Sequence, residues 1–332
     1  MNVREEYIKY FEEHGHKKME SAPLIPIDDD SLLWINAGVT PLKKYFDGTR
    51  VPECRRIVSV QKCIRTNDID NVGMTARHQT FFEMMGNFSI GDYFRNEAIA
   101  FAWELLTSPE WFDVDPEKIY VTIYTNDDES YNRWVEVGMI PSHIVRLDEN
   151  FWEIGEGPCG PDSELFYDRG EKYDPDGDAF EKFSKDEDQE RFIEIWNNVF
   201  SQFNSKEGVK REDYKELPSK NIDTGAGLER WACIFQDVDS NFDTDLFVPI
   251  IKHVEDLTGV LYNGDFTFKV IADHIRTITV ALSDGANFEN VGRGYVLRRL
   301  LRRSVRMGKK LGVNEPFLYK LVKTVCKIMG DR

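Results

Sequence analysis

The segment Asn221-Ile222-Asp223-Thr224-Gly225-Ala226-Gly227-Leu228-Glu229-Arg230 reads as a polar turn, a glycine pair and the first turn of a helix carrying an arginine. Two glycines let backbone approach a ligand closely, and the arginine beyond them can aim a planar, permanently charged fork at a phosphate. Such a string is weak alone. Its weight comes from a second arginine upstream, Arg65, in Gln61-Lys62-Cys63-Ile64-Arg65. That residue precedes an expected hairpin carrying Arg77-His78-Gln79-Thr80-Phe81-Phe82-Glu83-Met84. A strand arginine, a loop, an aromatic strand and a glycine-opened helix with another arginine suggest a nucleotide bed on antiparallel sheet.

Working outward, 332 residues suffice for a full core and for two domains, or one large domain with an appendage. A hydrophobic content of 41%, with 13% aromatic residues, is that of a globular chain. No apolar run is long enough to cross a bilayer, and the N-terminus lacks a signal-peptide pattern; residues 1–14 read as an amphipathic helix. Cys54, Cys63, Cys159, Cys233 and Cys326 are scattered, odd in number and without a C-x-x-C pair. A disulfide framework is therefore not expected, and a cytoplasmic location is. The histidine spacing predicts no structural or catalytic zinc.

The net charge of −17 argues against nucleic acid as a partner only while it is averaged. Between Asn290 and Asn314 there is no acidic residue, and Arg293, Arg298, Arg299, Arg302, Arg303, Arg306, Lys309 and Lys310 all lie inside. On a helical wheel the last seven share one face, opposite Leu297, Leu300, Leu301, Ser304, Val305 and Gly308. A solvated surface against an acidic neighbour is one reading; contact with a phosphate backbone is the stronger, because an acidic chain has gathered its arginines into one helix.

Elsewhere, β-branched and aromatic runs predict strands at 31–38, 56–61, 119–124, 144–147, 164–168 and 193–203. Helical spacing predicts helices at 96–106, 127–137 and 228–235. Gly155 to Pro161 reads as a rigid loop interrupting regular structure, and residues 169–190 as a mobile surface excursion. Strands joined by hairpins and short helices point to an antiparallel sheet, and the pattern turns mostly helical near residue 241. Two domains follow, 1–240 and 241–332.

With these residues in view, the chain resembles the aminoacylation domain of the alanyl-tRNA synthetases, class II aminoacyl-tRNA synthetases. The resemblance rests on Trp34-Ile35-Asn36-Ala37-Gly38, on Thr75 through Ser89, and on Gly157-Pro158-Cys159-Gly160-Pro161. It continues through Glu194-Ile195-Trp196-Asn197, Asp223 through Arg230, Ala272-Asp273-His274-Ile275-Arg276 and Gly292 through Arg299, in that order. It implies an α+β fold: a class II antiparallel β-sheet flanked by helices, then a mainly helical tRNA-recognition segment. The implied chemistry is activation of L-alanine by ATP, with Mg2+ accompanying the triphosphate, and transfer to the 3′ end of tRNA(Ala).

By resemblance, Arg65 holds the α-phosphate and the alanine carboxylate, and Arg230 the γ-phosphate of a bent ATP. Phe82 stacks on adenine, and Arg77, His78 and Gly227 complete the ATP site. Asp223 pairs with the alanine ammonium; Trp152 forms a wall, and Asn197, Val199, Gly225 and Val39 complete the pocket. Val39 stands where the family usually carries methionine. Asn290, with Arg293, Arg298, Arg299, Arg302, Arg303 and Arg306, is assigned to the tRNA acceptor stem. There are two departures: the loop after Arg65 lacks a G-G-K-H segment, and Asp162 replaces the family's second cysteine. The chain ends without the family's editing and C-terminal domains, so a fragment is expected that activates alanine and charges tRNA weakly. Adenylation with another acceptor, and a non-catalytic RNA-binding role, are the competing readings.

Overall fold

The computed structural model describes residues 2–27, 32–153 and 156–330. Met1, Ser31, Gly155, Asp331 and Arg332, which enter the expectations above, lie outside the described residues.

The strands are β1 (Lys17–Met19), β2 (Arg56–Ile64), β3 (Phe81–Ile90), β4 (Ile119–Tyr124), β5 (Ile144–Leu147), β6 (Phe151–Trp152), β7 (Gly157–Asp168), β8 (Phe192–Ser205) and β9 (Lys215–Gly227). The helices are α1 (Val3–Glu13), α2 (Lys43–Phe46), α3 (Arg95–Thr107), α4 (Asp128–Val137), α5 (Ala179–Phe183), α6 (Leu228–Phe235), α7 (Val248–Thr258), α8 (Phe266–Ser283), α9 (Gly292–Lys310) and α10 (Leu318–Met329). One sheet runs β1-β2-β3-β9-β8-β7-β4-β5, with β6 against β7. Its centre is antiparallel, as expected, while β1 with β2 and β4 with β5 pair in parallel. The fold is α+β.

By internal contacts the chain divides into two units interleaved in sequence: residues 1–20, 42–60 and 85–227, and residues 21–41, 61–84 and 228–332. In the first, α1 and α3 cover the sheet: the Tyr7 and Trp196 rings meet edge-on at 5.5 Å, and the Arg95 guanidinium lies 5.0 Å from the Phe200 ring. The second has its own core, in which Phe247, Ile251, Ile271, Ile275, Leu297, Leu300 and Leu321 are buried along α7 to α10.

Four expectations are corrected. Residues 32–38 form no strand. Trp34 and Ile35 are buried, but their backbone makes isolated bonds (Ile35 N to Leu24 O, Ile64 N to Ile35 O) and no ladder. Gly157 to Pro161 is not a loop but the start of β7, whose register slips between Cys159 and Asp162. Gly160 belongs there because a Cβ would lie 1.9 Å from the Phe200 carbonyl oxygen on β8. Residues 169–190, read as a mobile surface excursion, include a helix packed on the sheet. They contain α5, whose Phe183 stacks on Phe192 with ring centroids 4.9 Å apart.

The fourth concerns the glycine motif. Asn221–Thr224 is not a turn; it and the two glycines belong to β9, which runs extended through Gly227 until α6 begins at Leu228, as expected for a helix following the glycines. One of the polar residues that look turn-forming, Thr224, is instead part of a buried network. Thr224 Oγ1 donates to Asn87 Oδ1 at 2.6 Å, Tyr7 Oη donates to the same oxygen at 3.0 Å, and Asn87 Nδ2 donates to Tyr93 Oη at 2.9 Å. Such networks mimic loop composition while specifying a unique core.

Candidate active site

The end of β9 shows why its residues alternate. Ile222, Thr224 and Ala226 are buried on one face, while Asp223, Gly225 and Gly227 are half-exposed on the other. Successive strand residues point to opposite faces, so 223, 225 and 227 line one surface. The pairing extends that surface sideways. Val199 on β8 lies between Asp162 and Asp223, and Asn197 lies between Glu164 and Gly225. Six positions from three strands thus form two adjoining rows on one face. Trp152 on β6 pairs with Gly160 on β7. The structure therefore brings together Asp223, Gly225, Asn197 and Val199, and seats Trp152 on the same strand system. Asp162, to which the sequence reading gave no role, belongs in the same rows; its departure from the family's cysteine was the available signal.

The electrostatics of this face are distinctive. Burial pushes the Asp223 carboxyl up to about 8, with no cation of the described residues beside it to pull it down, although part of the side chain still meets solvent. Burial also raises the Asp162 carboxyl to about 7, against bonds from Asn150 and Asn197 that lower it. Two carboxyls short of cations on a floor with one buried valine suit a small ligand that brings its own positive charge.

The second unit holds the arginines. Arg65 follows β2 directly, and its backbone N–H donates to Thr80 O at 3.0 Å. Its Nε donates to Asn36 O at 3.2 Å, and its guanidinium carbon lies 5.0 Å from the Phe82 ring centre. Arg65 and Phe82 are therefore partners, with the terminal nitrogens of the exposed Arg65 beyond the Asn36 bond. The loop before β3 is pinned: Asn241 Nδ2 donates to Arg77 O and Gln79 Oε1, and Thr75 Oγ1 lies 2.7 Å from His78 Nδ1. Val39 is half-buried beside Gly38, whose N–H donates to Met84 Sδ at 3.1 Å.

Arg230 sits one residue after Glu229 in the first turn of α6. Glu229 is fully buried and accepts Arg276 Nη1 at 2.7 Å and the Glu83 backbone N–H at 3.1 Å. Glu83 lies 3.6 Å from Arg276 Nη2. This triad locks the start of α6, and with it Arg230, to β3 and α8. The Ala272–Arg276 motif carried no role in the sequence reading; the structure makes it the internal brace of the arginine-bearing elements.

A family model for class II (A) tRNA synthetases matches residues 2–332. The chain belongs to this family. It is 59% identical over 330 residues to the alanine--tRNA ligases of Streptococcus pneumoniae (strain Hungary19A-6) and Lactococcus lactis subsp. cremoris (strain SK11). It is 58% identical over 329 residues to that of Acholeplasma laidlawii (strain PG-8A). These matches cover 98–99% of this chain and 38% of each relative, so the chain spans under two fifths of their length. Among solved structures, apo histidyl-tRNA synthetase of S. aureus reaches a TM-score of only 0.42 at 11% identity, covering 74% of this chain and 67% of that one.

The basic helix α9 is less uniform than its wheel. Gly294, Leu297, Leu300, Ser304, Met307 and Gly308 are buried, whereas Val305, expected on the apolar side, is 42% exposed. Arg303 turns inward to the Ile69 carbonyl and to His274 Nε2, 3.3 Å away. Arg299 pairs with Asp70 at 2.8 Å, Arg298 donates to Asn290, and Arg293 Nε donates to Leu33 O at 3.2 Å. Arg302 and Arg306 are exposed. No helix among the described residues is long and apolar enough to cross a membrane.

Proposed function

We propose that the chain activates L-alanine with ATP to form alanyl-adenylate and passes the alanyl group to the 3′ end of tRNA(Ala), in the cytoplasm. The observation that carries this reading is the β7–β8–β9 face, where Asp223, with no cation of the described residues beside it, stands next to Val199 and Asn197. A pocket of that make-up takes a compact ammonium-bearing ligand, and the similarity to alanine--tRNA ligases names alanine.

In the first step an alanine carboxylate oxygen attacks the α-phosphorus and pyrophosphate leaves. Arg65 neutralises charge on the α-phosphate and Arg230 holds the γ-phosphate, so catalysis is chiefly positioning and electrostatic stabilisation. Phe82 takes the adenine, with Arg77, His78 and Gly227 around the nucleotide. Asp223 takes the ammonium, with Trp152, Asn197, Val199, Gly225 and Val39 bounding the methyl group. In the second step a terminal ribose hydroxyl of tRNA attacks the carbonyl and AMP leaves. Residues 241–332 carry tRNA recognition, with Asn290 at the acceptor stem and Arg302 and Arg306 the outward members of the set that includes Arg293, Arg298, Arg299 and Arg303.

Mg2+ arrives with the triphosphate. Such an ion is bound chiefly through phosphate oxygens and water.

ATP–pyrophosphate exchange with alanine, glycine and serine tests the reading. Alanine supports exchange; glycine, lacking one methyl group, is weaker by about 10- to 200-fold in kcat/KM. Arg65→Ala abolishes most of the alanine-dependent exchange. Exchange with alanine no greater than with serine or glycine would overturn the assignment.

A further inference from the structure

We infer that Arg303 on α9 is a positioning residue for Arg65: it fixes the backbone on both sides of that arginine and so serves amino-acid activation, before any tRNA is bound. The role of Arg65 itself is taken from the alanine-activating reading above.

Arg65 stands between the end of β2 and the short 3₁₀ turn Thr66–Asp70. It is exposed, so the aim of its guanidinium depends on where the backbone places it. Residues 66–76 contain no lysine, arginine or histidine, and Asp68 and Asp70 are their only charged members. Cations reach this turn from α9. Arg299 pairs with Asp70 at 2.8 Å, but both side chains are well exposed, and such pairs contribute little. Arg303 differs. Half-buried, it donates through Nη1 to the carbonyl of Ile69, a residue only 1% exposed.

The same nitrogen reaches the other side of Arg65 through two side chains of α8. It lies 3.3 Å from His274 Nε2, and His274 Nδ1 lies 2.7 Å from Asp273 Oδ2. Asp273 Oδ1 accepts the Thr80 N–H at 2.8 Å, and Thr80 O accepts the Arg65 N–H at 3.0 Å. A guanidinium only donates, so Nε2 must accept; in a neutral ring the hydrogen then sits on Nδ1 and goes to Asp273. Burial lowers the His274 pKa, in keeping with a neutral ring. Thr80, Asp273 and His274 are buried, so a broken link leaves a polar group that water does not readily satisfy. Arg303 thus holds Ile69 directly and Thr80 by relay, with the Arg65 backbone bonded between them.

The test is single-turnover formation of alanyl-adenylate from alanine and ATP, with tRNA absent. Arg303→Ala lowers the rate constant by about 100-fold, the cost of a catalytic group displaced by about 1 Å, while the amplitude, which counts folded sites, stays full. Arg303→Lys, which can still donate to a carbonyl, recovers about tenfold of that loss. On an Arg65→Ala background, Arg303→Ala changes the rate constant by less than about twofold, because the group it positions is gone. Should Arg303→Ala fail to fold, the isosteric Asp273→Asn carries the test. Its amide accepts from Thr80 but donates to His274 Nδ1, turning an N–H towards Arg303, and the rate constant falls by about tenfold at full amplitude. An unchanged rate constant, a loss of amplitude alone, or losses that multiply on the Arg65→Ala background would each overturn this role and leave the function standing. A parent chain that forms no alanyl-adenylate removes the function, and this role with it.

Discussion

Asp223 carries a conflict between folding and function. Burial keeps its proton on up to about pH 8 in the folded chain, whereas an unfolded chain releases it near about pH 4. Between those values the folded state binds more protons than the unfolded one, so this group makes stability fall as pH rises from about 4 through about 8. Asp223→Asn removes that liability. The variant is more stable than the parent at about pH 9, by on the order of 1–3 kcal/mol after discounting for the solvent that reaches the side chain, and melts at a correspondingly higher temperature. At about pH 4 the two melt alike. Exchange with alanine is lost in the same variant. Thermal melts at the two pH values, alongside exchange, check all three statements; a variant less stable at the higher pH contradicts the account. Position 223 could be read from sequence as an ammonium partner through its family motif. That its carboxyl lacks a cation could not, because desolvation depends on β8 and β7, more than twenty residues away.

At the scale of elements, the brace of Glu83 on β3, Glu229 on α6 and Arg276 on α8 is nearly inaccessible to water at all three side chains. Taking Arg276 away leaves two carboxylates facing each other in a low-dielectric interior. Arg276→Met therefore costs about 3–5 kcal/mol, read as a lower urea midpoint. Glu83→Gln, which keeps the Arg276–Glu229 pair, costs clearly less. Beside the brace, Asp273 joins two further elements: its Oδ1 accepts the Thr80 N–H at 2.8 Å and its Oδ2 lies 2.7 Å from His274 Nδ1. Burial lowers the His274 pKa, so the ring is neutral and can accept from Arg303. Arg303→Ala consequently lowers the melting temperature, while Arg302→Ala, at an exposed site one residue earlier, leaves it unchanged. Helical period revealed α9 and its basic face, and strand composition revealed β2, β4, β5 and β8. It misread 31–38, where buried apolar residues make single bonds in place of a ladder, and 157–161, where glycine and proline serve a β-bulge.

At the scale of the whole chain, a net charge of −17 coexists with a segment of 25 residues, 290–314, that has no acidic side chain. Long-range repulsion from the acidic surface is screened within about 8 Å at physiological salt, so the cations of α9 act locally. Arg302→Ala with Arg306→Ala lowers affinity for tRNA and flattens the dependence of log K on log salt by about 0.7–0.9 for each phosphate no longer neutralised. Filter binding across a salt series reads that slope; an unchanged slope would remove these arginines from the RNA surface. Sequence by itself determined the family, the order of most elements and the concentration of arginine in one helix, because short-range spacing encodes local conformation and motif identity. Tertiary structure alone decided which polar groups lose water. Asp162, Val199 and Asp223 become neighbours only when three distant strands pair, Arg303 turns inward only because Ile69 and His274 are there to meet it, and desolvation, unlike periodicity, is a property of the assembled neighbourhood.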